Sequence, residues 1–377
     1  MRNIIKSILL ALLVLLSPSF IHASKQAKMA KKSGEIRIKD VSPHKGLNLN
    51  YNYGEMELVF WDKNEIVLKY DECVRASSQK RADEILQQRI AIKSIEGHYF
   101  RVGNADDSSV SFNSKWTVYV PSHISSVAAS NSFGNITVGK GFSGLIRIDV
   151  QNGDVNIPET KAMCVVEVTH GNFYVGNAAY LNMTTKHANG TISFAQTLKV
   201  QAEHADFCKI DKADVMTINS KHSKIKVGNV GQLSSQGSYS TLEVNELSGL
   251  ANIRDMQHST IEMDKFLGKL DATDLSYSKL NITISKFNHT PFIMVTDLDY
   301  TDVKVKLPAS LRTSTYVNGK GSCRSISSGT AKIKSSAPWS SPNGISSHVF
   351  QNTESFTPNS LIDINNESYG TILIEEY

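Results

Sequence analysis

The sequence predicts a β-solenoid, a stack of like coils, and three observations predict it. A four-residue signature recurs about every 17–20 residues along the 377-residue chain. Alternating apolar and polar residues, the period-two pattern of half-buried strands, flank the copies. Helical periodicity is missing between them.

The signature reads ring or amide, then small, then polar, then apolar. Tyr277-Ser278-Lys279-Leu280, Tyr239-Ser240-Thr241-Leu242 and His258-Ser259-Thr260-Ile261 are copies. The frame also fits Phe133-Gly134-Asn135-Ile136, Asn152-Gly153-Asp154-Val155, His170-Gly171-Asn172-Phe173 and Asn189-Gly190-Thr191-Ile192. Further copies are His204-Ala205-Asp206-Phe207, His222-Ser223-Lys224-Ile225, Tyr300-Thr301-Asp302-Val303 and Tyr369-Gly370-Thr371-Ile372.

From the N-terminus, Arg2 and Lys6 precede an apolar run from Ile8 to Leu16, followed by Ser17-Pro18. Such a run is too short to cross a bilayer, which takes about 20 residues. Residues 1–23 therefore read as a secretory signal peptide, with a mature chain from Ser24. No later run is long enough for a membrane anchor, so an exported protein without a membrane span is expected.

Residues 24–120 read as the start and cap of the solenoid. A flexible leader over 24–34 gives way to alternating strands at 35–38, 47–51, 55–58 and 65–70, with a turn at Trp61-Asp62-Lys63-Asn64. Over 76–90 the pattern changes: Ala82, Ile85, Leu86 and Arg89 follow helical spacing among good helix formers. This one helix is expected across an end of the stack, where it hides strand edges that would otherwise recruit other chains.

Residues 121–311 hold the repeats. Trp116-Thr117-Val118-Tyr119-Val120-Pro121 leads in and Val303-Lys304-Val305-Lys306-Leu307-Pro308 leads out, each halted by a proline that cannot donate to a ladder. Residues 312–377 are Ser-, Gly- and Asn-rich at first, where loops or a hairpin are expected. Strands around Leu361–Ile364 and Thr371–Ile374 then close the far end. The general rule for parallel crossovers makes the solenoid right-handed.

Small residues at a corner let adjacent coils approach. The residue before the corner then stacks in a column at about 4.8 Å per coil. His170, His204, His222 and His258 read as such a ladder with Tyr239, Tyr277 and Tyr300. A transition-metal site between His204 and His222 is the sharper alternative, but no carboxylate or third His stands at ligand spacing.

A second column precedes the corner by three residues: Asn219, Gln236, Asp255, Asp274 and Asp297, with Asp299 close by. Stacked carboxylates repel unless a cation or a proton relieves them. The candidate is a calcium site at Asp255, Asp274 and Asp297, or a patch for cationic or polyhydroxyl ligands. The alternative is three solvated, screened side chains.

The formal charge of +4 falls to about +2 once Arg2 and Lys6 leave with the signal. With no basic blocks, neither nucleic acid nor an anionic membrane is indicated as partner. The four cysteines (Cys73, Cys164, Cys208, Cys323) form no C-x-x-C pair. Cys164 and Cys208 lie in strand-like runs as small hydrophobes, and at two rungs apart, roughly 10 Å, no bridge between them is expected.

G-x-S-x-G, H-E-x-x-H and P-loop motifs are absent. The Asp255–Asp297 column could supply acids to a β-helical polysaccharide-cleaving enzyme. Its short, even coils lack the long loops that would wall a cleft between residues 124 and 300. No catalytic residue and no cofactor beyond calcium is assigned, and nothing specifies an oligomeric state.

The chain resembles the adhesin-like β-solenoid family of bacterial envelopes, known as "putative auto-transporter adhesin, head GIN domain", and its close relatives. The resemblance covers nearly all of the mature chain. It rests on Tyr53-Gly54-Glu55-Met56-Glu57-Leu58 with Trp61-Asp62-Lys63-Asn64-Glu65-Ile66, and on the helix through Glu84-Ile85-Leu86. The Val118-Tyr119-Val120-Pro121 entry, the corner signature and the closing Tyr369-Gly370-Thr371-Ile372 complete it. The resemblance implies a periplasmic or outer-surface location in a Gram-negative bacterium, and it brings no catalytic residues. The expected role is non-catalytic binding of an envelope, glycan or matrix partner. A structural or stress-sensing envelope component without soluble ligand is the second reading.

Overall fold

The structure, a computed structural model, describes residues 28–90, 92–95, 99–102, 111–285, 292–308, 314–320, 323–328, 334–335, 339–340, 345–351, 361–366 and 370–377. The proposed signal peptide and Tyr369 lie outside the described residues.

Two parallel ladders flank one apolar lumen. The first contains β2 (Gly46–Tyr51), β8 (Ser126–Asn131) and β10 (Leu145–Gln151). It continues through the second halves of β11 (Val155–Thr169), β12 (Asn172–Lys186), β13 (Asn189–Glu203), β14 (Cys208–Lys221) and β15 (Lys224–Ser238). β17 (Leu250–Gln257), β19 (Lys269–Ser276) and β21 (Phe292–Asp299) follow. The second ladder holds β3 (Glu55–Trp61), β9 (Ile136–Val138) and the first halves of β11 to β15. β16 (Thr241–Leu247), β18 (Thr260–Phe266), β20 (Lys279–Ile284) and β22 (Asp302–Leu307) extend it.

Alternation sets the core. Ile148, Val166, Met183, Val200 and Ile218 point inward in register on the first ladder, and apart from Val165 their outward neighbours are polar or charged. At the second corner the inward residue grows along the stack, from Ala178, Ala195 and Ala213 through Val230 and Leu247 to Phe266. Bulkier side chains there keep the lumen filled, as interior packing density requires.

Both ends fold back on themselves. β6 (Tyr99–Val102) and β7 (Ser111–Pro121) stack outside β2 and β3 although they come later in the chain. β5 (Ile92–Ile95) pairs antiparallel with β6. β4 (Glu65–Ala76) runs antiparallel to β7, and β1 (Lys28–Lys39) runs antiparallel to β4 along its whole length. The expected flexible leader is thus corrected over residues 28–34, which are strand. Ala30 packs there with Val74 and Ala76, and backbone pairing outweighs the Lys-rich composition. Exposed lysines on β1 blunt its outer edge against further pairing.

The helix α1 (Gln79–Arg89) covers β1 and β4, with Ser78 as its N-cap accepting from the Arg81 N–H at 3.2 Å. All four residues picked out by helical spacing (Ala82, Ile85, Leu86 and Arg89) are buried. At the far end β28 (Leu361–Asn366) and β29 (Gly370–Glu376) pair with β21 and β22. β23 (Ser314–Lys320) and β24 (Cys323–Ser328) stack outside them. β25 (Lys334–Ser335), β26 (Trp339–Ser340) and β27 (Ile345–Gln351) continue antiparallel from β23.

Candidate functional site

The corner ladder is built from backbone conformation first. Tyr53, Asn152, His170, His187, His204, His222, Tyr239, His258, Tyr277 and Tyr300 all adopt left-handed φ, between 47° and 68°. Asn and His tolerate that region better than most residues, which accounts for their choice here. From His170 to Tyr300 successive rings stack at 4.7–4.9 Å with interplanar angles of 3–16°. Tyr53 and Phe133 form a similar pair at 4.7 Å. Ring faces are therefore covered by one another and the edges face solvent.

Two frames read from the sequence need correction. The ladder residue of its coil is His187, not Asn189, because Asn189 pairs with Asn172 and Gly190 with Phe173. The Asn-Gly pair mimicked Asn152-Gly153 and drew the frame two residues too far. A spacing of 17 residues from both His170 and His204 was the signal for His187. In the next coil the inward residue is Cys208, not Phe207, which is exposed; one extra residue separates corner from strand.

The small position changes chemistry along the stack. At Gly134 and Gly153 a Cβ would collide with the carbonyl oxygen of the glycine one coil below. From Ser223 to Thr301 the small residue is a buried hydroxyl. Ser223, Ser240, Ser259 and Ser278 Oγ accept from the backbone N–H of Ala205, Ser223, Ser240 and Ser259 at 3.1–3.2 Å. Each donates to the carbonyl two residues before it at 2.8–2.9 Å. Thr301 closes the series, accepting from Ser278 N–H at 3.3 Å.

Stacked in parallel, His204 and His222 do not form a metal centre. Matching nitrogens lie near the 4.9 Å ring separation, whereas two nitrogens on one zinc ion stand at most about 4.2 Å apart. Asp255, Asp274 and Asp297 do share a column, and each has left-handed φ of 49–57°. Register slips between Ser235 and Gly237 opposite Ile253 and Met256, so Asp255 enters as a bulge residue. Asn219 and Gln236 pair with each other before that slip, in regular ladder. All three carboxylates are exposed. Asp297 Oδ2 accepts from Thr273 Oγ1 at 3.0 Å and Thr296 Oγ1 at 3.3 Å. Among the described residues no three His, Cys, Asp or Glu side chains are grouped to hold a metal ion.

Several charged side chains on the outward faces are paired across coils. Glu243 meets Lys224 and Lys226 at 2.7 Å each, and those two lysines hold its carboxyl below the ordinary value. Lys186 meets Glu203 at 3.4 Å and lowers that carboxyl likewise. Cys73, Cys164 and Cys208 are free thiols, with Cys164 and Cys208 on opposite ladders. A shallow depression of about 520 Å³ lies beside the ladder, between Glu167 and Lys221.

No family model matches the chain, and no curated protein matches it. Among solved structures it is similar to a "putative cell adhesion protein" from Clostridium sporogenes, at 11% identity and a TM-score of 0.17, covering 93% of this chain and 100% of that one. At those values nothing about function passes from that protein to this one. No helix among the described residues is long and apolar enough to cross a membrane.

Proposed function

We propose that this chain is an exported, non-catalytic, adhesin-like β-solenoid. In this reading it works in the periplasm or on the outer surface of a Gram-negative bacterium. Its partner is an envelope, glycan or matrix component, held on the outward faces and corner columns. The observation that carries this reading is the register of the outward side chains. Column after column repeats at coil spacing on a rigid scaffold, which suits an extended partner. The signal-like N-terminus and the family resemblance of the quoted motifs support export and the envelope setting.

The test is a glycan and extracellular-matrix array probed with the purified protein, with and without calcium. Reproducible binding to one ligand class is expected. A blank array in both conditions would overturn the reading in favour of a structural or stress-sensing component. For the column of Asp255, Asp274 and Asp297 the calcium reading is carried as part of the proposal. Calcium should raise the melting temperature of the wild type and leave Asp274→Asn unmoved, and an equal rise in both would sink it.

A further inference from the structure

We propose that the depression beside the corner ladder binds an extended, uncharged polysaccharide lying along the solenoid axis. This deepens the adhesin-like reading and rests on it. Two adjacent outward columns build the depression: Glu167, Thr184, Gln201 and Asn219 in one, Lys186, Glu203 and Lys221 in the other. Four rungs at strand spacing extend it over roughly 14 Å along the axis. Its volume, about 520 Å³, lies within the range of small-ligand sites and exceeds the 270–300 Å³ of two other depressions on the surface.

The chemistry of the lining selects the ligand. Carboxylates only accept, lysines only donate, and the Gln201 and Asn219 amides do both, so a chain of hydroxyls finds complementary partners at every rung. Charge selects as well. Glu167 and Glu203 balance Lys186 and Lys221, and Lys186 is already engaged with Glu203, so no net field draws a polyanion. Stacking on aromatic faces is unavailable, because the neighbouring rings of His187, His204 and His222 cover one another. Hydrogen bonding is the mode that remains. Thr185 and Ala202 form the floor between the two columns; both are buried, in register with Val168, so only the outward side chains meet the ligand.

The experiment titrates the purified protein with soluble neutral and acidic polysaccharides by calorimetry, at low and high salt. Wild type is set beside Gln201→Ala/Asn219→Ala and beside Asn281→Ala on the opposite ladder. Both variants change exposed or half-exposed side chains, and circular dichroism and melting check that they fold. Binding of a neutral polymer that is insensitive to salt, at least ~10-fold weaker in the double variant and unchanged in Asn281→Ala, is expected. Equal binding by wild type and double variant, or selective binding of acidic polymers with a steep salt dependence, would overturn the site. Failure to bind any neutral polymer would overturn it too. If a matrix protein on the array still bound, the adhesin-like reading would stand without this site.

Discussion

Arg89 on α1 and Glu72 on β4 form an ion pair sealed from solvent, with Arg89 Nε 2.9 Å from Glu72 Oε2 and side-chain exposures of 2% and 0%. Ser114 Oγ and Trp116 Nε1 donate to the same carboxylate, so the charge is paired and its oxygens are hydrogen-bonded. Tyr51 and Tyr70 pack on the Trp116 ring at 4.6 and 5.1 Å. This knot fastens the helical cap to the first coils.

Removing one partner from such a pair leaves a buried, uncompensated charge. Arg89→Met should therefore destabilise the protein by roughly 3–5 kcal/mol, read by chemical denaturation. Arg89→Met/Glu72→Gln should recover much of that loss, since the amide removes the orphaned charge and keeps an oxygen that can accept from Trp116 Nε1. A double variant as unstable as the single one would show that packing, not charge, holds the cap.

The left-handed corner makes a different demand at His187. His187→Asn should melt close to wild type, because Asn accepts that backbone region, although it gives up two ring contacts of 4.9 Å. His187→Val should cost about 1–2 kcal/mol more than the Asn change, the penalty for a residue with a bulky Cβ at positive φ. Equal melting of the two variants would mean that ring stacking, not backbone strain, sets the residue at this corner.

That corner also shows how far the sequence could be read. The fold class was legible because period-two alternation and a repeating corner are both local signals, and the helix because Ala82, Ile85, Leu86 and Arg89 share one face. Insertions of a single residue were not legible. The bulge at Asp255 and the extra residue before Cys208 shift the frame without altering composition. Gly190 was the subtlest case. It occupies an apolar position because a Cβ there would stand 2.1 Å from the carbonyl oxygen of Phe173 and 2.6 Å from Cγ of its ring, so the backbone and ring below leave no room for a side chain. The fold-back of both ends was hidden as well, since strand order in a stack depends on long-range pairing that no local pattern encodes. The depression beside the ladder needed two columns brought into register by those same pairings.

Burial pushes the thiols of Cys164 and Cys208 up to about 12. The thiolate is the reactive form, so neither should be labelled by iodoacetamide at pH 8 in the native protein. Cys73 is partly exposed and should react. Peptide mapping before and after denaturation checks this. Rapid native labelling of Cys208 would mean that its coil opens locally on the labelling timescale.

Glu243 ties the charge pattern of the second ladder to acid stability. Hydrogen bonds from Lys224 and then Lys226 hold its folded-state carboxyl below the ordinary Glu value of about 4.3. The unfolded chain therefore takes up the proton first as pH falls. The contribution is fully present above that ordinary value and is lost progressively as pH drops through the lowered folded value. Glu243→Gln should accordingly flatten the acid limb of the stability curve below about pH 4.3. The side chain is 27% exposed, so the change should be small and should shrink further in high salt. Parallel pH titrations of the urea midpoint for wild type and Glu243→Gln measure it. Curves that keep the same offset from pH 7 down to pH 3 would remove Glu243 from the acid response and leave Lys224 and Lys226 as solvated surface charges.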